Sequence, residues 1–117
     1  MQSFDTNSQD LELQRETQPA VVGGRVADLP VGSCKTIDLP EGRELALYNV
    51  NGELYATENF CPHKGAPLAA GTLCEYTIAC DWHGWQFDVR TGECLTVTEN
   101  LRTYEVIVEE GSVKILI

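Results

Sequence analysis

Histidine is almost absent from this chain of 117 residues: His63 and His83 are the only two. A mechanism that needs three imidazoles is therefore excluded. Positive charge is scarce as well, with 8 Lys+Arg against 18 Asp+Glu and a formal net charge of -10. A nucleic-acid binder, whose affinity rests on cations neutralising phosphates, is excluded on that balance, and so is attraction to an anionic membrane surface. No apolar run approaches the roughly 18 residues of a spanning helix. The opening MQSFDTNSQDLELQRETQPA has neither a basic n-region nor an apolar h-region. These absences predict a soluble chain that stays in the cytoplasm.

A 3.6-residue apolar period over three turns is also missing, and no internal repeat is found. What remains, 43% apolar residues in 117, suffices for one compact domain with its own core and not for two. Residues 1–19 are rich in Gln, Asp and Glu, with Phe4, Leu11 and Leu13 as their large apolar side chains. That is too little to offset the entropy of ordering them, so a flexible acidic tail is expected, followed by one domain over residues 20–117.

Short apolar runs alternating with turn signals make that domain all-β. Glu44 to Val50, Asn51-Gly52 and Glu53 to Thr57 read as a hairpin, because Asn-Gly supplies the two positive-φ positions of a type I′ turn. A second hairpin is expected at the end, Tyr104, Val106 and Val108 on one arm, Gly111 at the turn, and Val113, Ile115 and Ile117 on the other. Further strands are expected at Val21 to Ala27, Lys35 to Leu39, Tyr76 to Cys80 and Trp85 to Val89.

Five cysteines without a signal peptide read as reduced thiols or metal ligands rather than a disulfide framework. Two of them stand beside the two histidines: Cys61-Pro62-His63-Lys64-Gly65, and, after sixteen intervening residues, Cys80-Asp81-Trp82-His83-Gly84. Each loop offers one Cys and one His, so together they present two thiolates and two imidazoles at a single point. A structural zinc accepts that set, but its usual spacing groups the cysteines and then the histidines. A two-iron, two-sulfide centre with both thiolates on one iron and both imidazoles on the other suits the alternation, each loop spanning both irons. Cys34, Cys74 and Cys94 fall outside the pattern and read as buried or half-buried thiols packed as small hydrophobes.

In these two loops, with weaker support from Phe87-Asp88, Thr91-Gly92 and the final hairpin, the chain resembles Rieske-type [2Fe-2S] ferredoxins over about residues 21 to 117. The resemblance implies an antiparallel β-sandwich with a small cluster-binding subdomain made of the two loops. It implies one [2Fe-2S] cluster per chain, with Cys61 and Cys80 on the inner iron, His63 and His83 on the outer, and Trp82, Trp85 and Phe87 as shielding. High-potential members brace the loops with a disulfide and aim Ser and Tyr hydroxyls at the cluster. The matching positions here are Ala66 and Trp82, then Trp85 and Phe87, so the chain looks like the low-potential, soluble branch. Gly65 and Gly84 either bring amides to the cluster sulfurs or serve as plain turn residues.

The function implied is an electron carrier without catalytic residues of its own. It passes single electrons from a flavin-dependent reductase to a Rieske-type oxygenase. An oxygenase catalytic subunit needs a further iron held by two histidines and a carboxylate, and both histidines are already committed. The alternatives are the small Rieske subunit of an NADH-dependent nitrite reductase, bound permanently to its large subunit, and a zinc-binding interaction module. The negative charge is spread along the chain, net -1 over residues 59–92 and -3 over each of residues 1–19, 20–58 and 93–117. Solubility explains it, with steering toward a basic partner as the sharper reading.

Overall fold

The computed structural model describes residues 19–61, 67–80, 84–96 and 99–117. Among these, all regular structure is strand apart from three short 3-10 turns at Val26–Asp28, Pro40–Gly42 and Leu68–Ala70. The strands are β1 (Ala20–Arg25), β2 (Cys34–Asp38), β3 (Glu44–Val50), β4 (Glu53–Glu58), β5 (Thr72–Cys74), β6 (Thr77–Ala79), β7 (Gln86–Asp88), β8 (Thr103–Tyr104), β9 (Val106–Glu109) and β10 (Ser112–Leu116). They form three antiparallel sheets in the orders β1-β10-β9, β2-β3-β4-β8 and β5-β6-β7.

The four-stranded sheet is organised by β3, and the reason lies in its sequence. Glu44–Val50 reads ELALYNV, and after Glu44 every residue is buried, because successive side chains point to opposite faces and both faces are covered. Leu45 and Leu47 join Ile37, Ala56, Val113 and Ile115 in a core beneath the terminal sheet. Ala46, Tyr48 and Val50 join Cys61, Leu68, Ile78, Cys80, Phe87 and Val89 in a second core beneath the small sheet. One strand thus serves two cores.

The β3–β4 hairpin turns at Asn51 and Gly52, with φ of 54° and 95°, and pairs Val50 with Glu53 as the Asn-Gly signal requires. The final hairpin is split differently from expectation. Val106–Glu109 pairs with β10 through a turn at Glu110 and Gly111, but Tyr104 belongs to β8, which pairs with β4 in the other sheet. The chain changes sheets at Glu105. Val113 and Ile115 are fully buried, whereas Val108 on the facing strand is 50% exposed. The two ends of the described chain meet, the Ile117 N–H donating to the Pro19 carbonyl at 2.9 Å.

Candidate metal centre

Both ligand loops leave strands that are anchored to the second core. The first follows β4. Asn59 extends the β3–β4 ladder by one bond, its N–H donating to the Glu44 carbonyl at 3.1 Å. An isolated bridge between Phe60 and Pro67 then closes the loop's neck. The second loop follows β6 and returns as β7. Its neck is closed by the Cys80 N–H donating to the Trp85 carbonyl and the Gly84 N–H donating to the Cys80 carbonyl, both at 2.8 Å. Gly84 has φ of 72°, a conformation that favours glycine. With its amide directed to Cys80, the plain turn role is the one the structure supports for this residue.

The two cysteines of the motif share one core: Cys61 and Cys80, each 1% exposed, belong to the same cluster of buried side chains. Phe87 and Leu68 are fully buried in it, and Trp85 packs against it partly exposed. Two soft sulfur donors, one from each loop and held where water is excluded, are of the kind that an iron-sulfur group takes on one iron. His63 and His83, with Ala66 and Trp82, lie outside the described residues. No disulfide joins any of the five cysteines. Of the three outside the motif, Cys94 is buried and Cys34 half-buried, as expected, and burial pushes the Cys34 thiol pKa up. Cys74 departs from expectation. It is exposed, because it ends β5, a three-residue strand at the edge of the small sheet.

Polar groups around this core are spoken for. The Thr57 hydroxyl donates to the Glu58 carbonyl at 2.7 Å, so across the 2.9 Å contact with Tyr48 it is the phenol that donates. Burial drives the Tyr48 pKa upward and keeps the phenol neutral. The largest buried side chain of the core therefore directs its hydroxyl into the four-stranded sheet. On the rim, a clasp ties the small sheet to the β3–β4 hairpin. Tyr76 and Tyr55 both donate to one Glu53 oxygen, at 2.9 and 3.1 Å, with their rings edge to face. The Arg90 guanidinium sits 4.0 Å above the Tyr76 ring and holds Asp88 through two bonds, which keeps that carboxyl pKa below its ordinary value.

Sequence reasoning missed Asn59. Wholly buried, it places its side chain between Glu44 and the Ala69 amide. The only signal was a polar residue two places before Cys61.

Among known proteins, the Rieske [2Fe-2S] domain family matches residues 19–106. The ferredoxin component of the naphthalene 1,2-dioxygenase system of Pseudomonas putida is 48% identical over 77 residues, covering 64% of this chain and 74% of that one. A chain of the complex of reduced oxygenase and oxidized ferredoxin in carbazole 1,9a-dioxygenase superposes with a TM-score of 0.81 at 33% identity, covering 86% of this chain and 94% of its own. A protein from Mycobacterium tuberculosis described as an NADH-dependent nitrite reductase small subunit gives 0.76 at 21% identity, covering 84% and 94%, a likeness of fold alone. No helix among the described residues is long and apolar enough to cross a membrane. Cys61 and Cys80 buried in one core of an antiparallel sandwich, a family match over residues 19–106, and relatives that are ferredoxins lead to one conclusion: the chain belongs to the Rieske [2Fe-2S] domain family, as a ferredoxin that carries electrons.

Proposed function

We propose that this ferredoxin is the carrier of a multicomponent dioxygenase system, taking single electrons from a flavin-dependent reductase and giving them to a Rieske-type oxygenase in the cytoplasm. The observation that carries the reading is that Cys61 and Cys80, at the necks of the two motif loops, are both buried in one core. Cys61 and Cys80 hold the inner iron and His63 and His83 the outer one, with one cluster per chain. When bound, the [2Fe-2S] group supplies a one-electron couple.

The chain's own contribution is to fix and shield that group. The bridged necks of the loops fix the backbone beside Cys61 and at Cys80, so little reorganisation of these two residues accompanies transfer. Phe87, Leu68 and Trp85 keep water from the thiolate side. The ferredoxin components of the naphthalene and carbazole systems support an oxygenase as acceptor. Permanent attachment to a nitrite reductase large subunit is the competing reading, supported only by likeness of fold.

Purified protein made with iron available is expected to be red-brown and to contain about two irons and two acid-labile sulfides per chain. His63→Ala and His83→Ala should each abolish the native visible and EPR spectra, and Cys74→Ser should leave them unchanged. Zinc without sulfide would reject the centre, and isolation only with a large catalytic chain would favour the accessory-subunit reading.

A further inference from the structure

Asn59 sits where the first ligand loop leaves the four-stranded sheet, and every polar atom it owns is engaged. Its backbone N–H donates to the Glu44 carbonyl at 3.1 Å, and its carbonyl accepts the Leu68 N–H. The side-chain oxygen accepts the Ala69 N–H at 2.8 Å, and the side-chain nitrogen donates to Glu44 Oε1 at 2.8 Å, with Thr36 Oγ1 further off at 3.4 Å. The Asn59 side chain is 0% exposed. One residue therefore grips both ends of the loop that contains Cys61 and His63 and fastens it to β2 and β3. An amide can do this and a carboxylate cannot, because the task needs an acceptor for Ala69 and a donor for Glu44 at once.

We infer that Asn59 is a positioning residue for the cluster: acting through Cys61, two places on, it fixes how the first loop presents its ligands, and Glu44 is its anchor. This rests on the ligand assignment proposed above. Groups that orient metal ligands without touching the metal alter affinity and electronic structure when removed, commonly by about 10-fold or more in affinity.

The test compares cluster-loaded variants by far-UV circular dichroism, by the EPR line shape of the reduced protein, and by the rate of cluster loss to a chelator. Asn59→Asp keeps an acceptor for Ala69 but has no donor for Glu44. Glu44→Ala removes the same link from the other side, and Glu44→Gln retains an acceptor and serves as the conservative rescue. Asn59→Asp and Glu44→Ala are expected to keep the wild-type strand signal, to broaden or shift the EPR lines, and to lose the cluster roughly tenfold faster. Glu44→Gln should behave as wild type. Lowered thermal stability with unchanged EPR lines and unchanged loss rate in both variants would show a purely structural bond and overturn the inference. Asn59→Ala removes both arms; should it fail to fold, the other two variants decide. Wild-type protein without iron and sulfide would instead overturn the ligand assignment beneath it, a result distinguishable from either.

Discussion

The family resemblance sets Trp85 and Phe87 at the positions where high-potential members would carry hydroxyls, and neither side chain can give an O–H to a sulfur. Of the tyrosines in and against that core, Tyr48 donates its hydroxyl to Thr57, and Tyr55 and Tyr76 donate theirs to Glu53. Fewer hydrogen bonds to sulfur leave the added negative charge of the reduced state less stabilised. The midpoint potential is expected near the lower end of the roughly -150 to +300 mV spanned by such centres. Voltammetry of the purified protein checks this, and a value above about +100 mV would mean that other donors compensate. At this scale the sequence was legible where chemistry demands a rare residue type: two histidines beside two cysteines admit few readings. It was silent where role depends on burial. Asn59 is indistinguishable in sequence from an ordinary turn asparagine, and only the fold reveals that Glu44 and Ala69 close around it. Cys74 shows the converse, since the general tendency of cysteine to be buried does not hold at a sheet edge.

Among the elements, the turn that follows β7 is tightly constrained. Gly92 is buried with φ of 80°, its N–H donates to the Asp88 carbonyl, and its carbonyl accepts the Leu101 N–H, both at 2.7 Å. A Cβ there would lie 2.1 Å from the Leu101 carbonyl oxygen. Gly92→Ala is therefore expected to lower stability by about 1–3 kcal/mol from the backbone conformation alone, and by more once the clash is added. A reduced urea midpoint, followed by circular dichroism, measures it, and an unchanged midpoint would mean that the turn relaxes freely. The hairpin of β3 and β4 was readable because Asn51-Gly52 encodes its turn locally. Two strands were not: β5 is three residues long, and β8 is two residues defined by the partner Ala56 and Thr57 supply from another part of the chain. Pairing so short carries no period for a sequence pattern to display.

For the molecule as a whole, the exchange of electrons with a reductase and an oxygenase in turn that we propose demands a cluster that is not sealed into a permanent interface. Transient redox complexes bury under roughly 1,200 Å². Phe60, next to Cys61, is 38% exposed and Leu95 is 54% exposed, so apolar surface is offered near the second core without forming a continuous strip of strands. Residues 59–92 carry a net charge of only -1, and Lys64 lies between His63 and Gly65. Lys64→Glu is expected to slow electron transfer to the oxygenase at low salt while leaving the potential nearly unchanged, because added negative charge alters encounter and not the ligands. Stopped-flow transfer rates check it, and an unchanged rate at low salt would remove Lys64 from the docking surface.

The bond between Ile117 and Pro19 closes the described chain into something near a ring. It lies in the β1-β10-β9 sheet, whose buried residues share a core with Leu45 and Leu47, while Cys61 and Cys80 are in the core on the other face of β3. Cargo attached at this seam, whether an affinity handle, an electrode linker or a fused reductase, would thus hang from the sheet across β3 from the core that holds Cys61 and Cys80. A circular permutant joined at the seam and opened at Asn51-Gly52 would change the order in which the strands are synthesised and leave both ligand loops uncut.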